Sequence, residues 1–361
     1  MKFATQEAQR SAGWQLAQAV VLEGRRLRKG TLLSETNASL LGAQRIQVYQ
    51  LDPEDLCEDA AAKALQADVF GPSLTLSEAR TGRVNALAEE AGLLVVDAPG
   101  VAAFNRAGEA LTLATLPDLQ RVEAGDLVAT LKVIPFGVHR TIVEAATPAK
   151  ALLRVHPLQP RSIALIQTQP DAVQDRTLDK ARDALSARLA ALGSSIREEH
   201  RVAHQHDAVA QALRHTRGDL IVIFPGAATQ DRRDVGPAGL VAAGGRVDHL
   251  VMTVDPGNLL FLGAHAGRPV IGAPGCARSV AFNGFDWVLE RACADLVPTP
   301  AEIQALGVGG LLKAARLAWP PARRGRLTVA LLASLPARAG LLSTGTSMPP
   351  VPPQTAPVAS E

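Results

Sequence analysis

The clearest hydrophobic pattern in the chain is the short apolar run Leu220–Phe224, which contains no polar position. Such a run predicts a strand that is buried on both faces of a parallel sheet. Pro225 and Gly226 end the run, and small residues and a charge cluster at residues 231–234 follow it. Because open α/β sheets bind their ligands beyond the carboxyl ends of their strands, this loop is the first candidate for a functional site.

Alternating strand and helix patterns continue over residues 156–325. Residues 162–167 and 269–272 predict two further buried strands, and apolar residues at helical spacing predict a helix that ends at Gly193. A helix over residues 276–291 is expected directly after the last of these strands. Strands that alternate with helices of this length predict an α/β domain of three layers, a sheet with helices on both faces.

Residues 1–155 predict a mixed α/β region in front of this domain. Residues 81–97 are interpreted as a helix, a glycine stop and a strand, and residues 123–138 as a tight turn and one long strand. No glycine-rich loop between a strand and a helix marks a pocket here, so the region is interpreted as a lid or scaffold. Residues 326–361 form a C-terminal extension whose Pro-rich end has no packing pattern, and disorder is expected there.

Composition narrows the classes of function. The 361 residues leave room for two cores, and a net charge of +2 gives no basic field of the kind that nucleic-acid-binding proteins carry. No apolar run has the length of a membrane span or of a signal-peptide core, so no membrane partner is expected. Three cysteines without a paired spacing fit a reducing compartment, which makes a cytoplasmic location the expectation.

The loop after the central strand offers backbone groups and two carboxylates. Its small residues are Gly226, Ala227, Ala228 and Thr229. Without bulky side chains, these residues bring backbone N–H groups close to an anionic ligand. Asp231 and Asp234 would then bind a metal ion, orient an oxyanion-bearing substrate through water, or act as a general base. The alternative, equally compatible with the sequence, is a solvated turn followed by a helix cap.

A second loop has the residues of an anion site. It consists of Pro274, Gly275, Cys276, Arg278 and Ser279 with their neighbours. A helix that begins at Cys276 would direct free N–H groups and the positive end of its dipole at a phosphate, and Arg278 would add a bidentate contact. Cys276 itself has no base nearby in the sequence and is interpreted as a small buried thiol.

Two further groups of residues are weaker candidates. The third loop, a turn by its composition, is Asp255, Pro256, Gly257 and Asn258. It gains interest from its position, which is similar to that of the other two loops relative to the sheet. The histidines of the chain that lie close together are His200, His204 and His206. Their spacing matches no standard helical or zinc-knuckle pattern, so they are interpreted as part of a surface face.

The first two loops and their spacing resemble the signature of the molybdopterin-binding domain shared by molybdopterin adenylyltransferases and molybdopterin molybdotransferases. In that family a Gly-Gly-Thr/Ser-Gly loop is followed by Arg-Asp or Ala-Asp and a Pro-containing helix. Here residues 226–229 stand at the glycine-rich positions, and Arg233-Asp234 stands at the Arg-Asp pair. Pro256-Gly257 and Pro274-Gly275 fall on the family's two Pro-Gly pairs. The similarity extends over about residues 162–289.

The sequence also departs from the family pattern. Residues 226–229 contain a single glycine, and Thr168-Gln169-Pro170-Asp171 stands where the family has Thr-Gly-Asp-Glu. The first 150 residues lack the family's segment around Ser-Ala-Met-Asp-Gly, and no C-terminal β-barrel module follows. The chain is therefore similar to a divergent, molybdotransferase-like protein.

The resemblance implies a three-layer α/β/α sandwich of the molybdopterin-binding type over residues 156–325. Its ligand would be molybdopterin or the molybdenum cofactor, with the pterin phosphate at residues 275–279 and the tricycle along residues 226–229. The residues expected to contact it are those of the three loops, including Arg233. Asp234, with Asp231, would position a metal ion (Mg²⁺) or molybdate at the dithiolene in a molybdotransferase-like transferase.

The resemblance leaves a second function open and implies partners. In the alternative, the chain is a non-catalytic carrier or chaperone that passes the cofactor to a nucleotidyltransferase or a molybdoenzyme. Related domains form dimers or trimers, so a homo-oligomer is expected.

Overall fold

A computed structural model describes residues 1–314, which form an α/β fold with several sheets. Within this range, no helix is both long and apolar enough to cross a membrane. The predicted C-terminal extension at residues 326–361 lies outside the described residues, as does the predicted domain boundary in front of it. The predicted boundary at residues 155 and 156 stays a prediction.

The first half of the described chain is built from short strands in five small sheets. Its strands are β1 (Lys2–Glu7), β2 (Gln15–Leu16), β3 (Val20–Leu22), β4 (Arg25–Leu27), β5 (Arg45–Gln50), β6 (Asp55–Cys57), β7 (Leu74–Leu76), β8 (Arg83–Ala88), β9 (Gly92–Val96), β10 (Leu111–Thr115), β11 (Gln120–Val122), β12 (Leu127–Val133), β13 (Gly137–His139) and β14 (Leu153–Pro157). Its helices are α1 (Glu35–Leu41), α2 (Glu58–Val69), α3 (Ala98–Arg106) and α4 (Arg140–Ala146), with a 3-10 turn at Ala8–Arg10. The larger of its two apolar clusters packs α2 against β8 and β12.

The helix predicted at the start of residues 81–97 is wrong, because these residues form strand β8. Val84, Ala86 and Ala88 are buried at every second position, which is the period of a strand. Pairing with β7 and β12 outweighs the helix propensity of the alanines and leucines. The long strand predicted before Pro135 is confirmed as β12, and it follows a turn in which Gly125 has a φ of 87°.

Residues 162–272 contain a six-stranded sheet in the spatial order β16-β15-β17-β20-β19-β18. Its strands are β15 (Ser162–Gln169), β16 (Ser195–Ala203), β17 (Leu220–Phe224), β18 (Arg246–Leu250), β19 (Phe261–His265) and β20 (Arg268–Gly272). The helices of residues 162–314 are α5 (Asp175–Ala190), α6 (His206–His215), α7 (Val235–Ala242), α8 (Gly284–Cys293) and α9 (Pro300–Ala305), with 3-10 turns at Gly275–Arg278 and Leu312–Ala314.

The strand directions bring several loops to the same place. Strands β16, β15, β17 and β20 run parallel to one another. Strand β19 is antiparallel to both of its neighbours, so β18 again runs parallel to β20. The carboxyl ends of β15, β16, β17, β18 and β20 therefore lie at one edge of the sheet, which we call the carboxyl edge.

Alternate residues of the central strands enter two separate apolar clusters. One cluster joins Leu165 and Val222 to residues of α5 and α8. The other joins Ile166 and Ile223 to residues of α6 and α7. Both sets of side chains are buried, which explains why β15 and β17 are continuous apolar runs in the sequence. Packing on both sides fixes these strands, and the loops at the carboxyl edge follow from them.

Candidate functional site

The three loops identified in the sequence are neighbours at the carboxyl edge. The loop after β17 contacts the end of β15, because the Gly226 N–H donates to Thr168 Oγ1 over 2.6 Å. The loop after β20 contacts the loop after β17 through Arg278, whose Nη2 donates to the carbonyl oxygen of Pro225. The loop after β18 contacts the start of α8, where the Gly284 N–H donates to the carbonyl oxygen of Pro256 over 2.9 Å. Backbone and side-chain groups from distant parts of the sequence thus form one surface.

Gly226 is required by the packing of two loops. A Cβ at this position would lie 2.6 Å from the carbonyl oxygen of Thr168 and would collide with the ring of Pro170. From the sequence, this glycine was expected to leave space for a ligand. In the structure it instead allows two backbone segments to approach each other closely. Of the small residues that follow, Ala227 and Ala228 are exposed and Thr229 is buried.

Gly226→Ala tests this packing. We expect the variant to lose about 1–3 kcal/mol of its free energy of unfolding, the usual range for an overpacked site. Gly275→Ala is the matched control, since the nearest atom to its Cβ would be Arg278 Nη1 at 3.9 Å. Urea denaturation of both variants measures the difference. Equal stabilities would show that the loop relaxes without cost.

Both predicted carboxylates take part in hydrogen bonds within their own loop. Asp231 Oδ1 accepts from the side-chain Nε of Arg233 over 2.6 Å and from its backbone N–H over 2.9 Å, and these bonds lower the pKa of the Asp231 carboxyl group. Asp234 Oδ2 accepts from the N–H groups of Gln230 (2.6 Å) and Asp231 (2.9 Å). Asp234 stands at the N-cap of α7 but makes no side-chain cap bond. The two carboxylates therefore stabilise a turn.

The helix expected over residues 276–291 begins at Gly284, so its predicted start is wrong. Residues Gly275–Arg278 form a short 3-10 turn instead. Asn283 and Asp286 form a capping box at the true start of α8, in which the Asn283 N–H donates to Asp286 Oδ2 over 2.8 Å. The positive end of the helix dipole therefore does not lie at the second Pro-Gly pair.

Arg278 forms no ion pair with any residue between positions 1 and 314. Its Nε is buried and has no hydrogen-bond partner within residues 1–314. Its Nη2 binds the Pro225 carbonyl oxygen, and its Nη1 lies next to Gly275. Burial lowers the pKa of this guanidinium, and no carboxylate in the described part of the chain offsets that effect.

The third loop packs against the start of α8 through its glycine. A Cβ on Gly257 would lie 2.8 Å from the Gly284 nitrogen, and its φ of 138° is one that favours glycine. Asp255 and Pro256 are partly buried, and Asn258 is exposed. The turn predicted from these residues therefore lies beside the start of α8, the helix that follows the second loop.

Arg188, in the last turn of α5, holds the second loop in place and was not identified from the sequence. Its Nε donates to Asp286 Oδ1 over 2.8 Å, and its Nη1 donates to the carbonyl oxygen of Ala277 over 3.0 Å. Its Nη2 donates to the carbonyl oxygens of Ser279 (2.6 Å) and Ala281 (3.0 Å). The only sequence signal was an arginine on the apolar face of a helix, where it is 9% exposed.

His204, predicted to lie on a surface face, is partly buried at the carboxyl edge. Its Nδ1 lies 2.7 Å from the Oγ1 of Thr168, which is fully buried. Burial lowers the pKa of His204, and the charge of Asp234 opposes this effect. His200 and His204 are thus less exposed than a surface face predicts, whereas the prediction is confirmed for His206, which is exposed and lies 3.2 Å from Asp207.

The described residues offer no ready metal site. No group of three or more His, Cys, Asp or Glu side chains within residues 1–314 is placed to hold a metal ion. Asp231 and Asp234 therefore do not form such a site from protein ligands alone. Cys276 is partly buried, and burial raises the pKa of its thiol, so the thiol stays protonated at neutral pH.

Comparisons with known proteins add little to this geometry. No known protein family matches the sequence, and no curated protein matches it. Among solved structures, the crystal structure of the molybdopterin biosynthesis MoeA protein from Pyrococcus horikosii is similar over 67% of this chain and 80% of that chain, with 14% identity and a TM-score of 0.29. A TM-score of this size carries no argument about fold or function.

Proposed function

We propose that the chain binds molybdopterin or the molybdenum cofactor at the carboxyl edge and acts in the biosynthesis of that cofactor. The sheet and its helices would then form a three-layer α/β/α sandwich of the molybdopterin-binding type. Two observations support the proposal. The motifs of residues 162–289 resemble that family, and Arg278 links the two loops that contain them.

The main support for this proposal is the guanidinium group of Arg278. A partly buried cation without a counter-ion is unfavourable, and a bound anion offsets part of that cost. A phosphate beside Gly275 would accept hydrogen bonds from Nη1 of Arg278 and would supply the missing negative charge. We therefore place the pterin phosphate at this guanidinium, since α8 begins too far along the chain for its dipole to bind it.

The state of the two carboxylates favours a carrier over a metal-inserting transferase. Asp231 is paired with Arg233, and Asp234 Oδ2 accepts two backbone hydrogen bonds. A resident Mg²⁺ site made by this chain does not fit these residues, because residues 1–314 offer no cluster of ligands for it. Molybdate would be a substrate of the transferase, held by the dithiolene. A carrier needs neither a resident Mg²⁺ nor molybdate. Its partner would be a nucleotidyltransferase or a molybdoenzyme.

Binding is tested with molybdopterin released anaerobically from a molybdoenzyme and added to the full chain. Quenching of pterin fluorescence and co-elution on gel filtration report the complex. We expect saturable binding at one site per chain. A chain that fails to bind both free molybdopterin and its nucleotide form would contradict the proposal in either version.

Asp234→Asn separates the carrier from the transferase. The amide oxygen of asparagine still accepts from the N–H groups of Gln230 and Asp231, so the turn is retained while the charge is removed. If the chain is a carrier, we expect the variant to bind molybdopterin as the parent does and neither protein to insert molybdate. Molybdate insertion by the parent and its loss in the variant would establish the transferase.

A further inference from the structure

We infer that His204, in its neutral form, positions the loop after β17 through Thr168, and that a proton gained by His204 releases this loop. His204 is thereby a positioning residue that makes ligand binding dependent on pH. The part of this inference that concerns ligand binding rests on the proposed function. The part that concerns the loop depends only on hydrogen bonds within the protein.

The hydroxyl group of Thr168 has two partners. The Gly226 N–H, which can only donate, donates to Oγ1 over 2.6 Å. A hydroxyl has one proton, and the other partner is His204 Nδ1 at 2.7 Å. Both bonds are complete when Thr168 donates its proton to an unprotonated Nδ1. The structure thus assigns His204 the neutral tautomer with its proton on Nε2.

Protonation of His204 reverses one of these bonds. Nδ1 then becomes a donor, and Thr168 Oγ1 has to accept from His204 and Gly226 at once. The hydroxyl proton of Thr168 is left without an acceptor in the described part of the chain, at a side chain that is 0% exposed. A buried polar group without a partner is costly, so the arrangement around Gly226 is weakened.

Burial, and not the charges around His204, sets the direction in which its pKa shifts. Asp234, in front of α7, raises the pKa of His204, and burial lowers it with the larger effect. On the histidine's own segment, His206 is paired with Asp207. On the side of β15, Asp175 accepts from the Gln169 side chain. The net direction is downward from the ordinary value of 6.5, so His204 is neutral at neutral pH.

The sign of the pH effect follows. As the pH falls through about 6.5, an unfolded chain takes up a proton at this histidine before the folded chain does. The folded state therefore loses stability relative to neutral pH, and this loss is complete below the lowered pKa of His204. Above about pH 6.5 this histidine contributes no pH dependence.

Hydrogen exchange of the full chain without ligand tests the inference. We measure the protection of the Gly226 amide from about pH 8 to about pH 5, corrected for intrinsic exchange. Thr168→Val removes the hydroxyl and should reduce protection roughly tenfold at every pH, the factor for a lost buried hydrogen bond. Thr168→Ser is its matched control and should exchange as the parent does. In the parent, protection should fall about tenfold as His204 is protonated.

His204→Asn distinguishes positioning from a merely structural role. Its amide oxygen takes the place of Nδ1 as an acceptor and cannot titrate, so protection at Gly226 should be retained and become independent of pH. The same pH dependence in the parent and in His204→Asn would overturn the inference, as would unchanged protection in Thr168→Val.

Titration with released molybdopterin is the second arm. The affinity of the parent should fall by about tenfold with pH, and the affinity of His204→Asn should not. If the parent binds no molybdopterin at any pH, the proposed function fails. The exchange measurement still decides the role of His204 in that case.

Discussion

Arg278→Met is expected to lower the affinity for molybdopterin by about 100-fold, the equivalent of losing charge-assisted hydrogen bonds to a phosphate. The free energy of unfolding should stay the same or rise, because an apolar side chain of similar volume replaces a partly buried guanidinium without a counter-ion. Fluorescence titration and urea denaturation of the same preparation measure both quantities. This combination, weaker binding without weaker folding, is typical of a residue reserved for a ligand.

Two variants control for the charge of Arg278. Arg246→Met removes an exposed arginine that pairs with Asp248 over 2.6 Å at the start of β18, away from the carboxyl edge, and should leave affinity unchanged. Arg278→Lys keeps the charge but loses the planar fork, so its affinity should lie between those of the parent and Arg278→Met. Parent-like binding by Arg278→Met would remove the phosphate from this position.

Arg188→Met is expected to lower the free energy of unfolding by about 3–5 kcal/mol, the cost of breaking a buried ion pair by removing one partner. The variant leaves Asp286 without its cation and the carbonyl oxygens of Ala277 and Ser279 without their side-chain donor, while Ala281 keeps the hydrogen bond from the Asn283 side chain. The second loop should lose its conformation first, because Arg188 contacts it at several points. Urea denaturation measures the loss of stability.

Arg182→Met is the matched control for Arg188. It removes an arginine from the same helix whose side chain is 40% exposed and whose ion pairs, the shortest with Asp183 over 2.9 Å, lie at the surface. Exposed pairs of this kind contribute little, so its stability should stay close to that of the parent. If Arg188→Met unfolds at the same urea concentration as Arg182→Met, the loop is held by other contacts.

The buried strands could be predicted from the sequence because they are covered on both faces. Such strands are continuous apolar runs, and β15, β17 and β20 were found from that signal alone. The end of α5, the helix that follows β15, was also predictable, since Gly193 has a φ of 67°, a conformation that favours glycine. The predicted start of α8 was wrong, although the sequence contained a signal for the true start. Asn283 is followed three residues later by Asp286, which is the pattern of a capping box.

The functional groups were only partly predictable. The three loops were identified because Pro, Gly and small residues follow buried strands at known positions. Thr168 and His204 are 36 positions apart in the sequence, and Thr168 and Gly226 are 58 positions apart, so no local pattern connects them. The strand β8 was missed for the same reason, because its pairing with β12 decides its conformation. Arg278 could be named from the sequence, whereas the absence of a carboxylate partner for it among the first 314 residues could not.

The bonds of Arg188 have a consequence for how the protein is made. This arginine binds carbonyl oxygens 89 to 93 positions further along the chain. Chains leave the ribosome from the N-terminus at a finite rate, so α5 emerges well before the loop that completes it. Until then its apolar face carries an unpaired guanidinium and is exposed to other chains. Nascent chains stalled between α5 and α8 should therefore depend on chaperones, and release from that dependence should coincide with the emergence of Asp286.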